Sequence, residues 1–203
     1  MDAAKIRLSQ KEMELVLNAE LILTKNAILQ KVKDLLAGLQ VQQQQYLQSC
    51  SGKIPDEVLR SSPKISRGEN YNGLPYLMLD FPRVFSNTAI CAIRTMFWWG
   101  NFFSITLHLS GNYKKQMEKK LSGSFQILQE KGFYCSVSEN EWEHHFENTN
   151  YRLLETMTKI DFENSLSNNK FIKLAHKIPL HHWNDAEETL LGSFKQLIKI
   201  MAD

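Results

Sequence analysis

The sequence has few residues of the kinds that build disulfide or cofactor sites. Its 203 residues include three cysteines, Cys50, Cys91 and Cys135, an odd number at wide spacing. A disulfide framework or a zinc knuckle needs paired cysteines, so we expect reduced thiols that act as small buried apolar side chains. The chain also has no glycine-rich phosphate loop, no GxSxG elbow, no CxxC pair and no internal repeat. The sequence therefore predicts neither a metal site nor a cofactor.

Two further absences concern membranes and nucleic acids. No apolar run reaches the roughly 18 residues of a membrane-spanning helix, and the start, MDAAKIRLSQ, lacks the pattern of a signal peptide. We therefore expect a cytoplasmic protein with no membrane partner. The formal charge is +2, from 24 basic and 22 acidic residues, without the basic excess of proteins that bind many phosphates. Nucleic acid is not an expected partner.

Residues 1–48 are predicted to form an N-terminal helical region. Ser9 followed three residues later by Glu12 is the pattern of a capping box. Apolar residues follow in two helical registers, one of which repeats every seven residues at Leu8, Leu15, Ile22, Leu29 and Leu36. Two registers make a wider stripe than one packing face requires, so we predict self-association, as a homodimer, through this region. One helix over 9–48 and two helices divided at Thr24–Asn26 fit the pattern equally well.

The helical periodicity stops over residues 49–75, which are rich in glycine, proline and serine and are predicted to be a long loop. Within it, Pro55-Asp56-Glu57 is a favourable first turn for a short helix. The stretch SRGENYNGLPY, Ser66 to Tyr76, has side chains that can contact a ligand, although turn formation is their more common role. The candidates there are Arg67, Glu69 and Tyr71.

The stretch RTMFWWGNFFSITLHL, Arg94 to Leu109, is predicted to be part of a β-hairpin. Glycine first in a two-residue loop suits a type II′ or I′ turn, so Gly100-Asn101 would form the turn and Trp99 would face Phe102. Side chains alternate along a strand. The predicted core face then holds Ile90, Ala92, Arg94, Met96, Trp98, Phe103, Ile105, Leu107 and Leu109. The opposite, half-polar face holds Cys91, Ile93, Thr95, Phe97, Trp99, Phe102, Ser104, Thr106 and His108.

Arg94 is the one ionic residue of the predicted core face. An unpaired charge in the interior costs several kcal/mol, so Arg94 needs a partner, and Asp80 at the end of a predicted strand over Tyr76–Phe81 is the nearest carboxylate. Two roles stay open: a structural ion pair with Asp80, or a guanidinium that binds an anionic ligand at the sheet edge. The half-polar face is interpreted as a solvated surface, as a surface under the long loop, or as the lining of a cleft.

The rest of the chain mixes short strands with amphipathic helices. FYCSV, Phe133 to Val137, and the stretch 170–180 are predicted strands, and a helix closes the chain after Asn184. With four or five strands and four or five helices, we predict one α+β domain over 1–203, with its α+β core at 76–203. Its sheet would be mainly antiparallel with helices packed on one face.

The acidic stretch ENEWEHHFEN contains two histidines, His144 and His145. Imidazole and carboxylate groups are suitable metal ligands. Adjacent histidines in a strand point to opposite sides, however, and no HExxH spacing is present, so this stretch is not predicted to bind metal.

Two classes of function fit these patterns. The first is a non-catalytic intracellular protein that binds a partner or a small ligand, and we favour it because no catalytic motif is present. The alternative is an enzyme of unrecognised type acting on an anionic small molecule, with Arg94 or Arg67 binding the anion and His108 as acid or base. The candidate ligand-binding residues are Arg67, Glu69, Tyr71, Arg94, Thr95, Thr106 and His108.

Overall fold

The structure, a computed structural model, describes residues 6–202. The helices of this part are α1 (Gln10–Leu17), α2 (Ala19–Ser49), α3 (Asp56–Leu59), α4 (Gly111–Gly123), α5 (Phe125–Glu130), α6 (Lys159–Asn168) and α7 (Ala186–Ala202). The strands are β1 (Lys64–Tyr71), β2 (Leu74–Phe85), β3 (Ile90–Trp98), β4 (Phe102–Ser110), β5 (Tyr134–Ser136), β6 (Tyr151–Leu153) and β7 (Phe171–Pro179). Short 3₁₀ helices cover Leu154–Thr156 and Leu180–Asp185.

The strands form one antiparallel sheet in the order β1-β2-β3-β4-β7-β5-β6. The predicted α+β class with an antiparallel sheet is confirmed, but the sheet has seven strands instead of four or five. One extra strand, β1, lies in the stretch 49–75, where a long loop with one short helix was predicted; the loop prediction is wrong for Lys64–Tyr71. β1 forms a sheet edge and is largely exposed, so it has no apolar alternation to reveal it. The predicted short helix after Pro55 is present as α3.

The helices pack on one face of the sheet and form the main core with it. Helices α2, α4, α6 and α7 contribute fully buried side chains, among them Leu36, Leu121, Phe162 and Phe194. The sheet contributes Ile93, Phe97, Phe103, Leu107 and Leu174. Burying one such side chain stabilises the fold by about 1.5–3 kcal/mol, so the packing of the helices on the sheet is the main source of its stability.

The N-terminal region is two helices, and the division lies at Asn18. Ser9 and Glu12 form the predicted capping box of α1. Asn18 ends α1 and also caps α2, because its side chain accepts a hydrogen bond from the N–H of Leu21. Both predicted alternatives are wrong: a single helix over 9–48 is interrupted at Asn18, and the range Thr24–Asn26 lies inside α2. The first buried side chain of α2 is Leu29, so the helix contributes to the core only from that residue onward.

No described helix is long and apolar enough to span a membrane.

The hairpin of β3 and β4 has a different register from the predicted one. Trp98 pairs with Phe102, so the loop contains three residues, and the N–H of Asn101 donates to the Trp98 carbonyl at 3.0 Å. Gly100 adopts a φ of 71°, which glycine reaches without strain. The predicted two-residue turn, with Trp99 opposite Phe102, is wrong. Because side chains alternate with a period of two, a shift by one residue exchanges the faces of one strand relative to the other.

The corrected register places Arg94, Met96 and Trp98 on the face away from the helices, together with Phe102, Ser104, Thr106 and His108. This face is covered by residues 137–150, which connect β5 to β6 and which we call the flap. Phe146 of the flap packs on a second apolar cluster formed by Met78, Met96, Trp98 and Phe102. The prediction that Met96 and Trp98 pack with Phe103 and Ile105 is therefore wrong.

Candidate functional site

A buried polar cluster lies between the sheet and the flap. The antiparallel register aligns Asp80, Arg94 and Thr106 across β2, β3 and β4. The neighbouring row aligns His108 of β4 with Lys173 of β7. Long polar side chains at facing positions of adjacent strands lie within reach of one another. The sheet register itself therefore assembles the cluster.

Arg94 is held by one carboxylate and two aromatic rings. Its Nε donates to Asp80 Oδ1 at 2.8 Å, which confirms the predicted pair. Its guanidinium carbon lies 5.6 Å from the ring centre of Phe85 and 5.7 Å from that of Trp142 in the flap. Such cation–π contacts are favourable when water is excluded. Its Nη1 is buried and has no hydrogen-bond partner among the described residues, so one donor of the guanidinium is unused.

His108 is 1 % exposed and contacts the flap. Its Nε2 lies 3.0 Å from Oε2 of Glu141. Burial, together with the nearby positive charges of Lys173 and Arg94, lowers the pKa of His108 to about 3, so the ring is neutral near pH 7. A neutral ring whose Nε2 hydrogen bonds to a carboxylate carries its proton there, and its Nδ1 has no partner among the described residues.

Two further basic side chains complete the cluster. Lys173 is also 1 % exposed; its Nζ donates to the backbone carbonyl of Glu143 and lies 5.0 Å from the ring centre of Tyr151. Burial lowers the pKa of Lys173 to about 8, and the charge of Arg94 acts in the same direction. His144 of the flap is half-buried beside them, and desolvation lowers its pKa to about 3. The flap thus contributes both an acidic group, Glu141, and a basic group, His144, to the cluster.

The predicted site residues are divided among three places. Arg94, Thr106 and His108 converge in the cluster. Thr95 points to the helix-covered face and is buried there. It pairs with Ile105 across β3 and β4. Arg67 and Glu69 lie on β1, where both are exposed and bind one another.

Tyr71 reaches the flap from the end of β1. Its hydroxyl accepts hydrogen bonds from the backbone N–H groups of His144, at 2.6 Å, and His145, at 3.1 Å. Its ring packs edge-on against Trp98. Tyr71 therefore fixes the carboxyl-terminal half of the flap to the sheet.

The sequence interpretation did not find Lys173, Glu141 or Trp142. Lys173 stands between Ile172 and Leu174 in the predicted strand 170–180, and the alternation of a strand is compatible with a lysine that faces solvent. In the structure Lys173 is buried, and a buried lysine needs a specific partner. Glu141 and Trp142 lie in an irregular segment, and nothing in their local pattern indicates which strands they cover.

A groove of about 730 Å³ adjoins the cluster. Its walls include Phe85, Glu141, Trp142 and Phe171, each of which contacts Arg94 or His108. Trp142 therefore separates the groove from the buried basic groups. Volumes of this size are typical of small-molecule sites.

Two features of His108 bear on its predicted acid–base role, its lowered pKa and its contact with Glu141. A general acid or base works best when its pKa lies near the working pH. With a pKa of about 3, His108 is uncharged near pH 7 and a weaker base than an ordinary imidazole, and its Nε2 is bound to Glu141. Among the described residues, no group of three or more His, Cys, Asp or Glu side chains is arranged to hold a metal ion.

A second surface of interest is the N-terminal arm, which we define as residues 6–23. Nine of its large apolar side chains are 46–76 % exposed: Ile6, Leu8, Met13, Leu15, Val16, Leu17, Leu21, Ile22 and Leu23. Helix α1 has no buried residue. Just beyond the arm, Lys25 Nζ binds Glu69 of β1 at 2.8 Å, so α2 meets the domain there.

No protein-family model, curated protein or solved structure matches this chain. Function is therefore inferred from its own residues.

Proposed function

We propose that this protein is a non-catalytic binding protein that assembles with a second copy of itself through the N-terminal arm. The carrying observation is the nine exposed apolar side chains within the 18 residues from Ile6 to Leu23. Elsewhere in the described chain the large exposed apolar side chains are fewer: Val41, Ile127 and Ile160, and the pair Phe85 and Trp142, whose rings contact one another. A contiguous apolar surface of this kind marks an interaction site, whereas scattered apolar residues need no explanation.

The size of the arm suits a stable dimer. A specific interface buries about 800 Å² on each partner, and nine side chains that are about half exposed or more supply an area of that order. Apolar residues surround α1 on more than one side, since Met13 and Val16 lie on a different face from Leu15. A helix that is apolar on several sides is normally buried on several sides, as in a bundle of arms from two copies.

The charges of the arm favour a second copy over a charged partner. Arg7 and Lys11 contribute two positive charges, and Glu12, Glu14 and Glu20 contribute three negative ones, so the net formal charge of the arm is −1. Helices that bind anionic membranes are rich in lysine and arginine, and so are nucleic-acid arms. A nearly balanced arm can instead place its acidic groups beside the basic groups of a copy.

Light scattering coupled to size-exclusion chromatography tests the proposal. At micromolar concentration and above, the full chain should elute with the mass of two copies or more. The double variant Leu15→Glu, Ile22→Glu should elute with the mass of one chain, with an unchanged circular dichroism spectrum, because two charges in the interface oppose its burial.

The matched control is Ile160→Glu, which places the same charge at a side chain that is 70 % exposed and lies outside the arm. The Ile160→Glu variant should elute with the same mass as the unsubstituted protein, that of two copies or more. A full chain with the mass of one copy throughout the concentration range would overturn the proposal, and so would loss of association in the Ile160→Glu control alone.

A further inference from the structure

The flap makes contacts on the polar cluster that a ligand would make. Glu141 brings a carboxylate to His108 at 3.0 Å, and the neighbouring Trp142 brings an aromatic ring to Arg94 and His108. Adjacent residues thus present an acid and a ring to buried basic groups. We propose that the face beneath the flap is a binding site for a small aromatic carboxylate, and that Glu141 and Trp142 occupy this site in the closed protein.

The basic groups of the cluster and the contact that Glu141 makes explain why the ligand is an anion. Arg94 and Lys173 carry positive charges at neutral pH; Asp80 pairs with Arg94, and the carboxylate of Glu143 lies near Lys173 but is 34 % exposed. A carboxylate that replaces Glu141 keeps a negative charge beside these groups and accepts the hydrogen bond of His108 Nε2. The unused Nη1 of Arg94 offers a further buried donor, and a bidentate carboxylate can accept from the same guanidinium at two positions.

The groove provides room for the rest of the ligand. Its volume of about 730 Å³, between the loop 86–89 and the flap, accommodates a small organic molecule. Phe85 and Phe171 line its walls beside Trp142. Aromatic rings prefer edge-on or offset contacts with one another, so an aromatic ligand can replace the contacts that Trp142 makes.

The two halves of the flap are held to the sheet by different contacts: aromatic packing in the second half, and in the first half Glu141 at His108 and the carbonyl of Glu143 at Lys173. Phe146 stacks on Tyr151 and packs edge-on against Phe102, and the hydroxyl of Tyr71 accepts from the backbone N–H groups of His144 and His145, so this second half is fixed to the sheet. Trp142 in the other half is 50 % exposed. Moving Trp142 outward therefore loses only part of a buried surface, and the ligand restores it.

Binding of indole-3-acetate, measured by titration calorimetry, tests the inference, with indole-3-acetamide as the uncharged probe. Indole-3-acetate should bind the full chain weakly, because Glu141 competes with it. In Glu141→Ala the competitor is gone, so we expect its affinity to rise by about tenfold or more. Indole-3-acetamide should bind neither protein measurably. The control Glu139→Ala removes a carboxylate that also lines the groove but is not bonded to His108, and should leave the affinity unchanged.

A second variant tests the role of Arg94 without leaving a buried charge unpaired. The double variant Arg94→Gln, Asp80→Asn removes both members of the ion pair and should lose the binding of indole-3-acetate when made in the Glu141→Ala protein. Equal affinity of the full chain and Glu141→Ala overturns the inference, as does equal binding of acid and amide. If inorganic phosphate bound as tightly as indole-3-acetate, the inference that the ligand carries an aromatic ring would be wrong. The arm lies outside this site, so association and ligand binding succeed or fail independently.

Discussion

At Arg94 one charged side chain is accommodated on a covered sheet face by three neighbours from two segments, β2 and the flap. Asp80 comes from β2, Phe85 from the end of β2, and Trp142 from the flap. The ion pair is largely buried, since the side chains of Arg94 and Asp80 are 15 % and 9 % exposed. Buried pairs of this kind are costly to break from one side, because the remaining charge has no partner.

Removing the charge of Asp80 should therefore destabilise the fold strongly. We expect Asp80→Asn to lower the free energy of unfolding by about 3 kcal/mol, measured by urea denaturation. The matched control is Asp56→Asn, because Asp56 pairs with Arg60 at 3.2 Å with both side chains more than three-quarters exposed. Exposed pairs contribute about 0–1 kcal/mol, so equal effects of the two substitutions would contradict the importance of the buried pair.

Helix α4 carries a glycine at each end, and the two differ in their surroundings. Gly111 has a φ of 59°, and a Cβ placed there would lie 2.2 Å from the carbonyl oxygen of Thr88. Gly123 has no heavy atom within 4 Å of such a Cβ. The first glycine permits a close backbone approach, and the second has no such role.

Alanine at these two positions should have opposite effects. Gly111→Ala should cost about 2 kcal/mol or more, since it adds a steric clash to an unfavourable backbone conformation. Gly123→Ala should stabilise the protein by about 0.4–1 kcal/mol, because it reduces the freedom of the unfolded chain. Thermal unfolding of the two variants side by side measures the difference, and destabilisation by both would show that Gly123 has an unrecognised backbone role.

Helix α2 places residues of the same seven-residue repeat in two different environments. Leu36 is fully buried in the core, and Ile22, two repeats earlier, is 53 % exposed in the arm. In the Leu15→Glu background, chosen to weaken association, Leu36→Ala should cost about 3 kcal/mol, whereas Ile22→Ala should change stability by less than about 0.5 kcal/mol. Urea denaturation measures both. A large cost at Ile22 would mean that the arm folds back on the domain.

The elements show which parts of the fold can be predicted from the sequence. The α+β class, the strands of the hairpin and the Arg94–Asp80 pair follow from local periodicity and from the cost of an unpaired charge. The register of the hairpin does not, because Gly100 suits both a two-residue and a three-residue loop. Because of this ambiguity, the predicted register placed Arg94 on the helix-covered face, whereas in the structure Arg94 lies under the flap with His108.

The cluster beneath the flap could be predicted only in part for a related reason. Thr106, His108 and Arg94 were identified from their chemistry. Their partners Glu141 and Trp142 come from a segment without regular structure, 33 or more residues farther along the chain than His108. Contacts of irregular segments depend on the assembled tertiary structure, so no spacing rule reports them.

In the whole molecule, histidines with lowered pKa values lie on both faces of the sheet. His108 lies under the flap and His144 belongs to the flap, with Arg94, Lys173 and Glu141 around them. His176 lies on the helix side, where its Nδ1 is 2.8 Å from the hydroxyl of Ser193 in α7. Burial lowers the pKa of all three, to about 3 for His108 and for His144. In the unfolded chain each histidine has a pKa of about 6.5.

These histidines should make the protein sensitive to mild acid. Between about pH 6.5 and pH 3 the unfolded state binds more protons than the folded state, so stability is fully present above pH 6.5 and falls as the pH is lowered. Each ring contributes up to about 1.4 kcal/mol per pH unit within this window. Urea midpoints at several pH values between 6.5 and 5, above the ordinary range of the carboxylates, isolate the histidine contribution. The double variant His108→Gln, His144→Gln should lose most of the slope, whatever its absolute stability. A slope equal to that of the full chain would mean that these two rings are protonated, and therefore paired, in the folded protein.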